Sequence, residues 1–111
     1  MGIELADIYT ARRRIADAVR RTPLVPSPAL SRLAGADVRL KLECVQDTGS
    51  FKVRGAANKI FSLDAAQRAK GVVTVSTGNH GRAAAHMAKR AGARAVVRLS
   101  NLVDRKSTRL N

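Results

Sequence analysis

Between residues 72 and 100 the sequence has the pattern of a strand, a loop, a helix and a second strand. The compact apolar run VVTV at 72–75 is followed by the small-residue loop STGNHG at 76–81, then by an Ala-rich helical segment. A second apolar run, AVVRLS, occupies 95–100. Strands that alternate with helices favour a parallel sheet joined by right-handed crossovers. We therefore predict an α/β fold, a parallel sheet with helices on both faces.

The segment before residue 72 continues this alternation, as judged from apolar spacing and helix-capping residues. The predicted elements are a helix over 4–20, a short helix from Ser27 to Leu33, a strand over 38–43, a helix from Phe51 and a second short helix from Asp64 to Gly71. Both polar loops, 44–50 and 76–81, then follow strands. Because ligands of parallel sheets bind at the carboxyl ends of the strands, these two loops are the candidate site.

Composition excludes several classes of protein. With 111 residues, 45% of them apolar, the chain has room for one globular domain of ordinary size. The net charge of +13 raises nucleic-acid binding as an alternative, but aromatic residues make up only 3% and the cations are spread along the chain, so we expect no nucleic-acid partner. No apolar run approaches a membrane span or a secretory signal, which predicts a cytoplasmic protein without a membrane partner. The single cysteine, Cys44, argues against a disulfide or a Cys-rich metal site, and we predict no metal.

The loop STGNHG has the chemistry of an anion site. Where a strand ends and a helix begins, the first-turn amides lack intrahelical partners and point toward the crevice. Ser76 and Thr77 add hydroxyl groups suited to a carboxylate or phosphate, Asn79 adds an amide donor, and His80 is a further hydrogen-bonding partner. The alternative is that these residues serve turn geometry alone.

Lys52, in ECVQDTGSFKVRGA at 43–56, is placed at the start of a predicted helix. The helix dipole disfavours a cation there, and burial beside Phe51 would disfavour it further, so both effects would lower the pKa of the Lys52 amine. A lysine with a lowered pKa is what covalent catalysis through a Schiff base requires. The alternative is an ordinary lysine that faces solvent.

The pair TGSFKVRGA and STGNHG, with the RRTPL lead-in, resembles the pyridoxal-phosphate enzymes of the tryptophan-synthase-like fold. Within them the sequence is similar to the threonine/serine dehydratase and serine racemase branch, over nearly all of 1–103. The segment GVVTVSTGNHGRA is similar to hydroxyectoine-utilisation dehydratases, in which an arginine occupies the position of Arg82. That subfamily is therefore the leading one.

The resemblance implies a role for each matching residue and a cofactor, pyridoxal 5'-phosphate. Lys52 would form the Schiff base with the cofactor and later move the Cα proton, while Phe51 would pack against the pyridine ring. Asn79 would hydrogen-bond the ring's 3′ oxygen. The residues that would bind the substrate carboxylate are Ser76, Thr77, Gly78 and His80.

The implied activity is that of a lyase: loss of the β-hydroxyl from a threonine- or serine-like amino acid, giving a 2-oxo acid and ammonia. Two alternatives stay open, an amino-acid racemase of the same fold and a non-catalytic basic α/β binding module. The resemblance also implies a homo-oligomeric parent enzyme.

The chain resembles only the N-terminal portion of such an enzyme. The expected division is an N-terminal helical segment at 1–35 that belongs to a larger cofactor domain, a partial small α/β domain at 36–103 and a non-native tail at 104–111. That tail, DRKSTRLN, matches the translation of a common sequencing adapter. Because the family's phosphate-binding glycine loop is missing, we expect this fragment to be inactive alone.

Overall fold

The structure, a computed structural model, describes residues 2–99, which form helices and strands in alternation. The helices are α1 (Leu5–Ile15), α2 (Pro28–Ala34), α3 (Lys52–Phe61), α4 (Ala65–Lys70) and α5 (Asn79–Arg90), and a short 3-10 helix spans Glu43–Val45. The strands are β1 (Leu24–Pro26), β2 (Arg39–Lys41), β3 (Val72–Val75) and β4 (Ala95–Arg98). From α3 onward, the order of elements is the one that the sequence predicts.

Strands β3 and β4 form a parallel pair, which confirms the predicted α/β class. Their register runs from Val72 opposite Ala95 to Val75 opposite Arg98. Helix α5 connects the two strands and packs against both. The pair presents alternate residues to its two faces, as a strand must. The loop that follows β3 therefore lies where β3 ends and α5 begins.

The predicted place of the strand at 38–43 in the parallel sheet is wrong. The observed strand, β2, pairs antiparallel with β1, with Val25 opposite Leu40. Strand β1 was not predicted, because it is only three residues long and ends at a proline, a residue confined to strand ends and edges. As a consequence, the loops after β2 and β3 follow strands of two different sheets.

Both ends of α4 are determined by residues next to them in the sequence. The Asp64 side chain accepts from the backbone N–H of Gln67, whose side chain accepts from the backbone N–H of Asp64, so α4 begins with a capping box. At its other end Gly71 has φ +82°, and a Cβ there would lie 2.8 Å from the Arg94 carbonyl oxygen. Only glycine fits both conditions.

Helix α1 ends at Ile15, five residues before the predicted end. A turn follows, in which the N–H groups of Ala18 and Val19 both donate to the Ile15 carbonyl. The carbonyls of Asp17 and Ala18 instead accept hydrogen bonds from the Arg90 guanidinium of α5. This contact joins residues far apart in the sequence, so apolar periodicity within α1 gives no sign of it.

The core lies between α3 and α5, with α1 packed against α3. It is built largely from small side chains, and Met87 is its largest fully buried member. Small residues let the two helix backbones approach closely. The buried apolar residues are Ile15, Ala18, Val53, Ala56, Ala57, Ile60, Ala83, Ala84, Met87 and Ala88.

The predicted tail at 104–111 and the end of the predicted small domain lie outside the described residues. The division at residue 35 stays a prediction. Among the helices of residues 2–99, none combines the length and apolar character needed to cross a membrane.

Candidate functional site

The loop between β3 and α5 is closed by the side chain of Ser76. Its Oγ accepts hydrogen bonds from the backbone N–H groups of Gly78, at 3.2 Å, and Gly81, at 2.8 Å. Ser76 thus satisfies a first-turn amide that a helix leaves without an intrahelical partner. The anion site has fewer N–H donors than predicted, because the Gly81 N–H already donates to Ser76 Oγ. Asn79 and His80 supply the first two N–H groups of α5, and the Ser76 hydroxyl hydrogen can still be donated.

Gly81 fixes how α5 sits on the sheet. A Cβ at this position would lie 2.8 Å from Val97 Cγ1 and 3.1 Å from Ser76 Cβ. Real Cβ atoms do not approach other atoms as closely as 2.8 Å, so with any larger residue the Val97 side chain, the loop or α5 itself must shift. No role was predicted for this glycine from the sequence, although its place at the end of STGNHG was a signal.

The other residues of the loop are open to solvent. Thr77, Gly78, Asn79 and His80 are all exposed. His80 also lines a surface cavity of about 420 Å³ between α3, α4, β3 and α5. Gly55 and Ala56 of α3 line the same cavity, so the structure brings this loop next to α3.

Lys52 is the first residue of α3, and it is exposed. Its Nζ lies 5.1 Å from the centroid of the Phe51 ring, within reach of a cation–π contact. The prediction that Lys52 is buried beside Phe51 is wrong, because the Phe51 side chain is itself 59% exposed. Val53, the next residue, takes the buried position and is 1% exposed.

The structure brings the two predicted loops together through their helices. Lys52 opens α3 and Asn79 opens α5, and these two helices pack against each other through the core. Lys52 lies three residues before Gly55 but is not among the residues that line the cavity with His80. The lysine and the anion loop are therefore on neighbouring helices, without a direct contact that the structure records.

A polar network that was not predicted from the sequence includes Arg54, two residues after Lys52 in the chain. Arg54 Nε and Nη2 donate to the two carboxylate oxygens of Glu43, each at 2.8 Å. Thr22 Oγ1 and Gln46 Nε2 donate to the same carboxylate. These four hydrogen bonds, with Arg54 the largest cause, lower the pKa of Glu43 from 4.5 to about 2, against a smaller opposing effect of burial. Glu43 and Arg54 are 11 apart in the sequence, and their spacing does not indicate that they pair.

The groups around Lys52 fit a polar aromatic cofactor better than a metal. Ser50 Oγ and Thr48 Oγ1 are buried and have no hydrogen-bond partner among the described residues. They precede an exposed amine and an exposed aromatic ring, and they leave hydrogen-bonding capacity for a ligand. Within residues 2–99 no group of three His, Cys, Asp or Glu side chains could hold a metal ion. An amine, hydroxyls and a ring face are the groups that a phosphorylated pyridine aldehyde can use.

Comparisons with known proteins agree with this chemistry. The family described as "Pyridoxal-phosphate dependent enzyme" matches residues 15–110. A Sinorhizobium fredii protein, provisionally named a threonine dehydratase, is 52% identical over 102 residues, which is 92% of this chain and 31% of that protein. Serine racemase of Dictyostelium discoideum is 46% identical over 87 residues, covering 78% of this chain and 27% of the racemase.

The fold is shared with solved structures. The structure of maize serine racemase matches 97% of this chain with a TM-score of 0.88 and 39% identity, over 33% of the racemase chain. The chain thus spans about a third of the length of the relatives it matches. From its sequence and its fold alike, the chain belongs to the family of pyridoxal-phosphate dependent enzymes.

Proposed function

We propose that this chain carries the cofactor lysine and the substrate loop of an ammonia-lyase. The substrate would be a β-hydroxy amino acid of the threonine or serine type, and the products a 2-oxo acid and ammonia. The observation that carries this proposal is the packing of α3 on α5, since each helix begins with residues of one of the two motifs.

Lys52 has the central role in the proposed site. Its exposed amine is free to attach pyridoxal phosphate, whose ring, when bound, supplies an electron sink for the carbanion at Cα. Lys52 Nζ would then accept the proton from the substrate Cα. Phe51, already adjacent to the amine, would pack against the ring, and Asn79 would donate to its 3′ oxygen.

The loop at the start of α5 would bind the substrate carboxylate. Thr77, Gly78 and His80 are exposed at a helix N-terminus, where the dipole favours an anion. Ser76 holds the loop closed with its oxygen and keeps its hydroxyl hydrogen for donation. A carboxylate held here would keep the substrate Cα in one position relative to α3.

The names of relatives support a hydroxy amino acid as substrate. They include "L-threonine ammonia-lyase" of Thermotoga maritima, 49% identical over 78 residues, and "beta-hydroxyaspartate dehydratase" of Paracoccus denitrificans, 51% identical over 74 residues. Serine racemases match over a similar part of the chain, so racemisation is the second candidate. It begins with removal of the same α-proton and needs a second acid to return a proton to the other face.

The test uses the product of the full open reading frame that contains this sequence, which we call the parent protein. We expect it to release ammonia from threonine or serine, and the Lys52→Ala variant to lose that release by at least about 10³-fold, as for other covalent catalysts. Lys89→Ala, at the exposed end of α5, is the matched control and should retain activity. Full ammonia release by Lys52→Ala contradicts the proposal, and racemised serine without ammonia selects the second candidate.

Four narrower statements stay predictions. A role in hydroxyectoine degradation depends on Arg82 alone. Homo-oligomerisation, a cytoplasmic location and the absence of nucleic-acid or membrane partners are further expectations from the sequence. We also propose that the 111-residue chain by itself does not turn over, which ammonia release from threonine by this chain would contradict.

A further inference from the structure

The loop that leads to Lys52 is closed at its base by two side chains. Glu43 lies in the 3-10 helix before the loop, and Arg54 lies in the first turn of α3 after it. The guanidinium and the carboxylate meet through two parallel hydrogen bonds of 2.8 Å. Such a bidentate pair fixes direction as well as distance. The Glu43 side chain is 16% exposed and Arg54 34%, so the pair is partly shielded from water.

The same loop is attached at a second point. Gln46 is buried, and its side-chain amide pairs with the backbone of Arg20: Oε1 accepts from the N–H at 3.0 Å and Nε2 donates to the carbonyl at 2.9 Å. Arg54 Nη2 donates to that carbonyl too, at 3.3 Å. The loop is therefore held against the segment after α1 as well as against α3.

Lys52 itself has no comparable restraint. Within residues 2–99 its amine takes part in no ion pair, and its recorded contact is with the exposed Phe51 ring. Its position depends on the backbone on either side. That backbone is fixed by burial of Val53 and by the hydrogen bonds of Arg54, which come one and two residues after the lysine.

We propose that Glu43, Arg54, Thr22 and Gln46 form a positioning clamp that fixes where α3 presents the Lys52 amine. This inference rests on the proposed function of Lys52. The residues of the clamp are positioning residues, because they act on Lys52 through the backbone of α3. Placement matters because a displacement of about 1 Å at a reacting group can cost about 10²-fold in rate.

The test measures how selectively Lys52 reacts, apart from turnover. The parent protein is treated with pyridoxal phosphate and borohydride, and peptide mass spectrometry gives the ratio of label at Lys52 to label at Lys89. We expect Arg54→Lys, which keeps the charge but loses the bidentate geometry, to lower this ratio by about tenfold. Glu43→Gln should lower it less, because an amide oxygen still accepts one hydrogen bond.

Two control variants separate positioning from general weakening of the fold. Ile60→Val removes one methyl group from the core of α3 and should lower the melting temperature without changing the ratio. Asp37→Asn breaks the exposed ion pair with Arg39, far from Lys52 in the chain, and should change neither quantity.

The possible outcomes test the clamp separately from the proposed function of Lys52. A high ratio in the wild type that falls in Arg54→Lys but not in Ile60→Val supports the clamp. A high ratio that survives Arg54→Lys, or that falls equally in Ile60→Val, overturns the clamp and leaves the proposed function standing. A wild-type ratio near one overturns both. If Arg54→Lys does not fold, Glu43→Gln and Thr22→Val provide the same comparison.

Discussion

Replacing Glu43 by Gln should make the stability of the protein less sensitive to acid. In the folded protein, hydrogen bonds from Arg54, Thr22 and Gln46 lower the pKa of this carboxyl from 4.5 to about 2. A group whose folded pKa is lowered stabilises the fold at a pH above its ordinary value, and this stabilisation is lost as the pH falls toward the folded value. The loss should therefore occur between pH 4.5 and about 2.

The size of the effect follows from the same shift. At about 1.4 kcal/mol for each tenfold change in affinity for the proton, a fall in pKa from 4.5 to about 2 corresponds to about 3 kcal/mol. Arg54 is 34% exposed, so solvent screening weakens the pair. We expect the free energy of unfolding of the wild type to exceed that of Glu43→Gln by roughly 2 kcal/mol at pH 6.

Urea unfolding followed by circular dichroism at several pH values between 6 and 2.5 gives the free energy of unfolding of both proteins. The difference between them should shrink steadily as the pH falls. Asp37→Asn, which breaks an exposed ion pair, should differ from wild type by less than about 1 kcal/mol throughout. A difference between wild type and Glu43→Gln that stays constant over this range would refute the account of the Glu43 pKa.

Two further predictions concern packing around α5. Gly81→Ala should destabilise the protein by about 1–3 kcal/mol, because the new Cβ would lie 2.8 Å from Val97 Cγ1. Gly55→Ala is the control and should be neutral or stabilising, because there is open space around the position of its Cβ. Equal melting temperatures for the two variants would contradict this packing. Met87→Ala should cost about 2–5 kcal/mol, because Met87 is fully buried in the core, and a loss below about 1 kcal/mol in urea unfolding would show that the α3–α5 core is looser than described.

The parts of the fold that local chemistry determines could be predicted from the sequence. The apolar run before STGNHG specified β3, the Ala-rich segment specified α5, and Asp64 and Gly71 marked the ends of α4. Each of these signals lies within a few residues of the element that it specifies. The parallel pairing of β3 with β4 followed from the crossover helix between them.

Features that depend on contacts distant in the sequence could not be predicted in this way. Strand β1 exists because β2 pairs with it, and its three residues, all apolar, show no alternation of apolar and polar types in the sequence. The Glu43–Arg54 pair joins residues 11 apart, with no regular spacing to reveal it. Burial of Lys52 was predicted from the apolar neighbour Phe51, but Val53 occupies the core instead. Whether Phe51 or Val53, two residues apart, is buried depends on how α3 is rotated against α5.

The proposal that Lys52 is the cofactor lysine can be tested by mapping the lysine that binds pyridoxal phosphate. The parent protein is incubated with the cofactor and reduced with borohydride, and the phosphopyridoxyl group is located by peptide mass spectrometry. If Lys52 is the cofactor lysine, it should carry most of the label, well above exposed lysines such as Lys59 and Lys89. Label spread over these lysines in proportion to their exposure would contradict the claim.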